Sequence, residues 1–489
     1  MAREPRFEEI MCGLLQSGKV PRAMVSETRE AVALARRFSD EVVRPHSLEL
    51  DRRMQEDPTY IPWDFARDAN RWGFYTMWLP RFLGGKGMSL PTMGPFFEEL
   101  CACDSTLGLL TAGQYFGFSI LLASWNLRII QRIVRDVIEG ERTGEPCILA
   151  GAVTEPQAGT DVEEMELLSR AKVNCHARKV KGGYLVNGTK IFISLAQMAT
   201  WTMLIAYEDL HRPEETVVML AVKKGTKGFS LGRMENKMGQ KACPVGELIF
   251  EDCFIPDEDV CYSSEQVRHL RRGPKESAMQ LIDFVVSNTR PGVGAAATGV
   301  ARGAYEQALR FACETEVDGK LLVNHEWAQC LLAEMYKNVA LARMTYMEGT
   351  YVNGLYGITR LLSIKPVYYL DKVIPESTPR WIAGLLDSDS ATRWTRKFLL
   401  DGQTDEQIAR TSGWASLSKF AASDLALDTC EKAIELMGHA GTRHEYRVEK
   451  HLRDIKVMQI FEGTNQLNRL NLFKCMIARS TQEALIFSD

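Results

Sequence analysis

The sequence predicts an α+β protein built from helices, then strands, then helices again. Apolar residues recur at helical spacing up to about residue 143, and short β-type runs separated by glycines fill roughly 147–262. Long helical stripes return from about residue 277. The expected units are residues 1–146, 147–262 and 263–489, the last carrying an insertion at 353–412. A chain of 489 residues is too long for one small core, so division into several packed units is the physical expectation.

In the first unit, Ala31, Leu34, Ala35, Phe38 and Val42 recur at helical spacing, with Ser26 placed to cap the start and Pro45 to stop the helix. Further helical pattern follows, broken by the turn-rich stretch from Pro80 to Gly87. In the second unit, the runs at 184–186, 191–193, 203–206, 217–222 and 248–250 read as strands. Gly182-Gly183, Asn187-Gly188 and Gly225 mark hairpins between antiparallel strands. In the third unit, Leu417, Phe420, Leu427, Cys430, Ile434 and Met437 form one stripe, and Gly438 stands where that helix would end. Asp424 falls on the stripe and is expected to be paired or to lie near its edge. The insertion holds Pro366, Pro375, Pro379 and the polar patch from Asp387, and a loop of that length carries function or covers an interface.

Composition excludes several classes. A formal charge of −4 offers no broad basic field for nucleic acid. The first ten residues mix both charge signs without a secretory apolar core, and no apolar stretch approaches the ~20 residues of a membrane span. Twelve scattered cysteines without a CxxC pair predict reduced thiols in a cytoplasmic setting. The glycines at 292, 294 and 299 have the wrong spacing and context for a dinucleotide fingerprint and predict close helix packing instead. His439 and His444 lack ligand spacing, so no metal is expected.

Four separated segments are unusual together. They are Ala152–Val162, which contains Thr154, Glu155 and Thr160; Asn187–Ser194; Lys237–Lys241 followed by Gly246–Pro256; and Arg453-Asp454 leading to Ile460–Gln466. With Leu79-Pro80, Gly84-Gly85, Gly87 and Glu98–Leu100, they resemble the acyl-CoA dehydrogenase family over most of the chain. The resemblance implies a helical first domain, a β-barrel-like middle domain and a C-terminal four-helix bundle, the order read above from pattern alone.

It also implies an activity, the flavin-dependent oxidation of an acyl-CoA thioester to its 2,3-enoyl-CoA. Glu462 would be the base for the α-proton, and FAD would take the β-hydride at its ring N5. A developing enolate needs hydrogen bonds at the thioester oxygen, and burial beside an acyl chain would raise a carboxyl group toward the working range. By position, Val153, Thr154, Phe192 and Ser194 would meet the flavin ring, and Thr464, Asn465 and Gln466 the adenine dinucleotide portion. Thr160 would contact cofactor and thioester. Ser287, Thr289, Arg290, Phe461 and Gly463 would line the substrate site, Phe461 by excluding water. Relatives that keep their base on the other helix have it where this chain has Thr289, which cannot serve.

The pattern breaks at the adenine end. Thr315, Asp318 and Glu435 stand where relatives carry arginine, phenylalanine and glutamine, so either a cation such as Arg310 or Lys320 substitutes or the FAD pyrophosphate sits differently, and the insertion is placed to supply replacement contacts or to reshape the acyl pocket. The implied partners are an acyl-CoA, an electron-transfer flavoprotein and further copies of the chain in a tetramer or dimer, with no nucleic acid or membrane. The insertion and these departures suggest a branched, cyclic or aromatic acyl group. An oxidase, an enoyl-CoA reductase or a catalytically silent acyl-CoA binding protein on the same fold are the alternatives.

Overall fold

Residues 21, 23–358, 360, 365–373, 388–480 and 484–487 are described in the computed structural model of the chain. The first unit holds helices α1 (Ala23–Phe38), α2 (Arg44–Glu56), α3 (Trp63–Arg71), α4 (Met93–Cys103), α5 (Ser105–Ala123) and α6 (Leu127–Thr143). Two details differ from the sequence expectation. Helix α1 begins before Ser26, whose hydroxyl instead donates to Glu30. Pro45 does not stop the chain, because a π-helical turn at Ser39–Val43 carries it into α2, where Pro45 sits in the first turn and its missing N–H is not needed. Helix α5 is long and apolar enough by composition to cross a membrane, contrary to the expectation above, but 67% of that stretch is buried inside the protein. The ten-residue N-terminal stretch weighed as a secretory signal lies outside the described residues.

The middle unit is one eight-stranded sheet made of β1 (Ile148–Ala152), β2 (His176–Val180), β3 (Gly183–Ser194), β4 (Ala199–Tyr207), β5 (Val217–Lys223), β6 (Phe229–Met234), β7 (Val245–Pro256) and β8 (Val260–Ser263). Its order is β6-β7-β3-β2-β4-β5-β8, with β1 alongside β4 in parallel. Asn187-Gly188 is not a hairpin turn. Strand β3 runs through it, and the pairing with β7 shifts register there. Gly188 is required at φ 141°, where a Cβ would stand 2.6 Å from the Cα of Cys175.

The third unit is framed by α7 (Gly273–Glu314), the two-residue strands β9 (Glu316–Val317) and β10 (Lys320–Leu321), α8 (Glu326–Tyr356), α9 (Lys365–Val373), α10 (Asp389–Leu400), α11 (Asp405–Met437), α12 (Val448–Met458) and α13 (Asn465–Leu472). The small residues of α7 do bring helices together: a Cβ at Gly299 would stand 2.5 Å from the carbonyl oxygen of Glu98 in α4. Pro291 lies within α7 and offers no N–H to Ser287, whose carbonyl accepts instead from Asn353 Nδ2 at 3.3 Å. Gly438 ends α11, and Asp424 is paired as expected, with Arg469.

The stretch read as an insertion ends earlier than 412, since Thr404 and Gln407 form a capping box that starts α11. Pro375, Pro379 and Asp387 lie outside the described residues. The described parts brace the other units. Asp371 of α9 accepts from the Arg81 N–H at 3.1 Å. Arg396 of α10, buried at 2% exposure, donates to Ser124 O, Cys261 O and Gln266 Oε1 at 2.9, 2.7 and 2.9 Å.

Candidate active site

The loop after β1 is held from below by an ion pair with no exposure on either side. Lys190 Nζ of β3 lies 2.7 Å from Glu155 Oε1 and donates to the carbonyl of Val153 at 2.8 Å. Glu155 also accepts from the N–H groups of Asn174 and Cys175. Ile191 N–H donates to Thr154 O at 2.9 Å, which sets Val153 and Thr154 beside the end of β3. There the backbone turns left-handed at Phe192 (φ 58°) and Leu195 (φ 61°), strain that clusters at functional sites. Phe192 stands 56% exposed, and the Ser194 hydroxyl is hydrogen-bonded to none of the described residues. An uncovered aromatic ring, a free hydroxyl and a backbone turn fit a flat ring system such as a flavin.

In the third unit, Glu462 follows α12 in a loop that is also left-handed, at φ 56°, with Gly463 at φ 74°. The carbonyls of this loop turn into the bundle. Glu462 O accepts from Arg290 Nε and Asn468 Nδ2, each at 3.3 Å. Gly463 O accepts from Lys419 Nζ at 2.8 Å and from Asn468 Nδ2 at 2.9 Å. The Glu462 N–H makes no hydrogen bond with the described residues and is free for an acceptor in the site. Thr289 Oγ1 donates to the Glu462 carboxylate at 2.9 Å. Burial, and then the negative charge of Glu163, push that carboxyl group up to about 7, against the opposing pull of Thr289, Arg290 and Lys419. Burial together with Arg290 lowers the Lys419 ammonium to about 7.

The third segment and the Arg453-Asp454 start of the fourth do not reach this chemistry directly. Asp454 accepts from the Gln240 N–H at 2.6 Å, from Ser105 Oγ at 2.8 Å and from Lys450 Nζ at 2.6 Å. Gly239 is needed because a Cβ there would stand 2.2 Å from Arg453 O. This buried knot ties the first, middle and third units together one turn of helix before the base loop.

Contacts revise the expected role of Arg290 and place the other expected residues. Arg290 is fully buried, and its other two donor nitrogens go to Ser416 Oγ and Glu163 Oε2, each at 3.0 Å, so it holds the base loop and is not free to meet a thioester. Thr464 caps α13, and Asn465 is taken up by Lys419, Ser423 and Asp424, leaving Gln466 as the exposed member of that trio. Ser287 Oγ is buried and has no hydrogen-bond partner among the described residues, Thr160 opens a 3-10 turn ending at Glu163, and Phe461 packs partly against the bundle core. Glu163, Ser416, Lys419 and Asn468 were missed in the sequence. The adjacent acidic pair Glu163-Glu164 after Thr160 was the available signal.

Asp318 and Gly319 form the two left-handed residues of the β9–β10 turn, a local reason for both. That hairpin, with Thr315, lies roughly 37 Å along α7 from Arg290, remote from the base of its own chain. Among the described residues, Asp51, His444 and Glu449 gather as a metal site would. Arg453 lies 2.7 Å from both carboxylates, so the cluster is an ion-pair network.

A raised carboxyl group on a left-handed loop of the bundle, together with an uncovered aromatic and hydroxyl at the end of β3, fits the chemistry of a flavin-dependent oxidoreductase. Family models described as the N-terminal, middle and C-terminal domains of acyl-CoA dehydrogenase match residues 26–141, 150–253, and 280–352 with 391–477. A probable acyl-CoA dehydrogenase, FadE25, of Mycobacterium tuberculosis is 25% identical over 92% of this chain and 95% of its own. Butyryl-CoA dehydrogenase from Megasphaera elsdenii superposes with a TM-score of 0.69 at 21% identity, covering 92% of this chain and 97% of that one. A Mycobacterium smegmatis glutaryl-CoA dehydrogenase in complex with FADH2 gives 0.67 at 18% identity, covering 93% and 95%. The chain belongs to the acyl-CoA dehydrogenase family. It is an oxidoreductase with FAD as cofactor, acting in acyl-CoA dehydrogenation.

Proposed function

We propose that Glu462 takes the α-proton of an acyl-CoA thioester as the β-hydride leaves, giving the 2,3-enoyl-CoA. The observation carrying this is the base loop itself, in which a carboxyl group raised to about 7 shares its residue with an unpaired N–H. Near neutral pH about half of such a group is ionised, and the ionised form is a strong enough base to take a proton from carbon. The carbonyls of Glu462 and Gly463 are held inward by Arg290, Lys419 and Asn468, which leaves the N–H positioned to stabilise the developing negative charge on the thioester oxygen. Val153, Thr154, Phe192 and Ser194 would hold the flavin ring of FAD, which supplies the hydride acceptor. The α C–H pair becomes the new carbon–carbon π bond, the proton rests on Glu462 and the hydride leaves from Cβ. Electrons would pass on to an electron-transfer flavoprotein.

Anaerobic mixing of the purified flavoprotein with straight, branched, cyclic and aromatic acyl-CoA thioesters tests this. Loss of flavin colour with at least one thioester is expected, most strongly with a branched or ring-bearing acyl group. A flavin that none of them bleaches would sink the reading.

A further inference from the structure

Glu163 is a second carboxylate at the base, supplied by the middle unit. It closes the 3-10 turn Thr160–Glu163, and its Oε2 lies 3.0 Å from Arg290 Nη2. That same oxygen is so close to the base loop that a Cβ on Gly463 would stand 2.7 Å away. Arg290 has no exposed surface and donates through Nε to the carbonyl of Glu462 and through Nη1 to Ser416. The neighbouring Glu164 is buried and pairs with Lys474 at 2.9 Å, so the turn is fastened on both sides.

We propose that Glu163 is a positioning residue for the base, joining the turn that carries Thr160 to the loop that carries Glu462 through the buried guanidinium of Arg290. The proposal rests on Glu462 being the base. Two consequences follow from one contact. Arg290 is kept aligned on the Glu462 carbonyl, which holds the left-handed backbone and the outward N–H. The charge of Glu163 also offsets that of Arg290, so the base faces less net positive charge. The other groups facing Glu462 are Thr289 and Arg290 on α7 and Lys419 on α11. Asp283 lies on α7 two turns before Arg290, next to Glu164 and Lys474, and burial with Glu164 raises it to about 7.

The sign is fixed by these charges. Replacing Glu163 with glutamine removes a negative neighbour and leaves Arg290 less compensated, and both changes favour ionised Glu462. The acid limb of the pH profile of kcat/KM should therefore move down by roughly one pH unit or more in Glu163→Gln, with kcat on the plateau falling less than about tenfold because the amide still accepts from Arg290. Glu163→Ala should show the same displacement with a larger fall in kcat. A second reading needs no turnover. The pH at which the stability difference between Glu462→Gln and the parent chain stops growing, their divergence point, should move down by the same amount in the Glu163→Gln background. Acid limbs and divergence points that superimpose with and without Glu163 overturn the proposal. If no thioester reacts but the divergence point still moves, the base assignment fails while the coupling stands.

Discussion

Replacing Glu462 by glutamine should abolish flavin bleaching and, above neutral pH, make the protein more stable. An unperturbed glutamate titrates at 4.5, and in the folded chain Glu462 is raised to about 7. The folded state thus binds this proton more tightly than the unfolded state, by about 3 kcal/mol. The sign follows directly. Below pH 4.5 both states are protonated and the effect is absent, whereas the advantage of the protonated folded form is lost as pH rises through 7. At pH 8 the parent chain must hold an ionised carboxylate that its surroundings disfavour, and glutamine, which cannot ionise, escapes that cost. Relative to the parent, Glu462→Gln should gain less than about 1 kcal/mol at pH 5 and about 3 kcal/mol at pH 8. Thermal unfolding of both flavoproteins from pH 5 to pH 8.5 measures this, and acyl-CoA bleaching of the same samples measures chemistry. A stability difference that does not change with pH would refute the enclosed-base geometry, and retained bleaching would refute its role.

Two further perturbations address the scaffold. Glu155→Gln leaves Lys190 as an unpaired charge with no exposed surface. It should cost about 3–5 kcal/mol in chemical denaturation and loosen FAD, and an unchanged midpoint would contradict the role given to the pair. Arg396→Met removes the donors to Ser124, Cys261 and Gln266 and leaves two buried carbonyls unpaired. Limited proteolysis should then cut near α10 at least several-fold faster, and an unaltered pattern would show that the brace is dispensable.

The succession of helices, strands and helices was legible because periodicity reports burial, and burial decides the elements. Local turn chemistry was less reliable. Asn187-Gly188 looked like a hairpin but lies inside β3, where the close approach of Cys175 demands glycine for a different reason. Asp318, read as the place of a lost phenylalanine, is with Gly319 a left-handed residue of a hairpin turn. Glu462 was found through its Glu-Gly-Thr setting. Arg290 was found with the wrong role, because spacing along α7 shows which face a side chain occupies and not which partner takes its donors. Lys419 sat unnoticed among small residues of α11, since a buried lysine is recognised only once the carbonyl it meets is known.

The four segments that flagged the function are best understood as a means of joining separate units at one point. Among their residues, Glu462 and the edge formed by Val153, Thr154, Phe192 and Ser194 face the proposed chemistry, while Glu155, Lys190, Gly239, Gln240, Arg453 and Asp454 are spent on buried contacts. A base acting on carbon tolerates little misplacement, because effective concentration falls steeply once the reacting atoms leave near-attack distance. When the flavin platform belongs to one folding unit and the base to another, that placement depends on the seam between them. The Asp454 knot fixes the seam from one side, and the Glu163–Arg290 pair fixes it from the other. Substitutions at Asp454 should therefore reduce kcat before they reduce FAD binding, since Glu155 and Lys190 anchor the platform within the middle unit while the placement of the base against it depends on the seam.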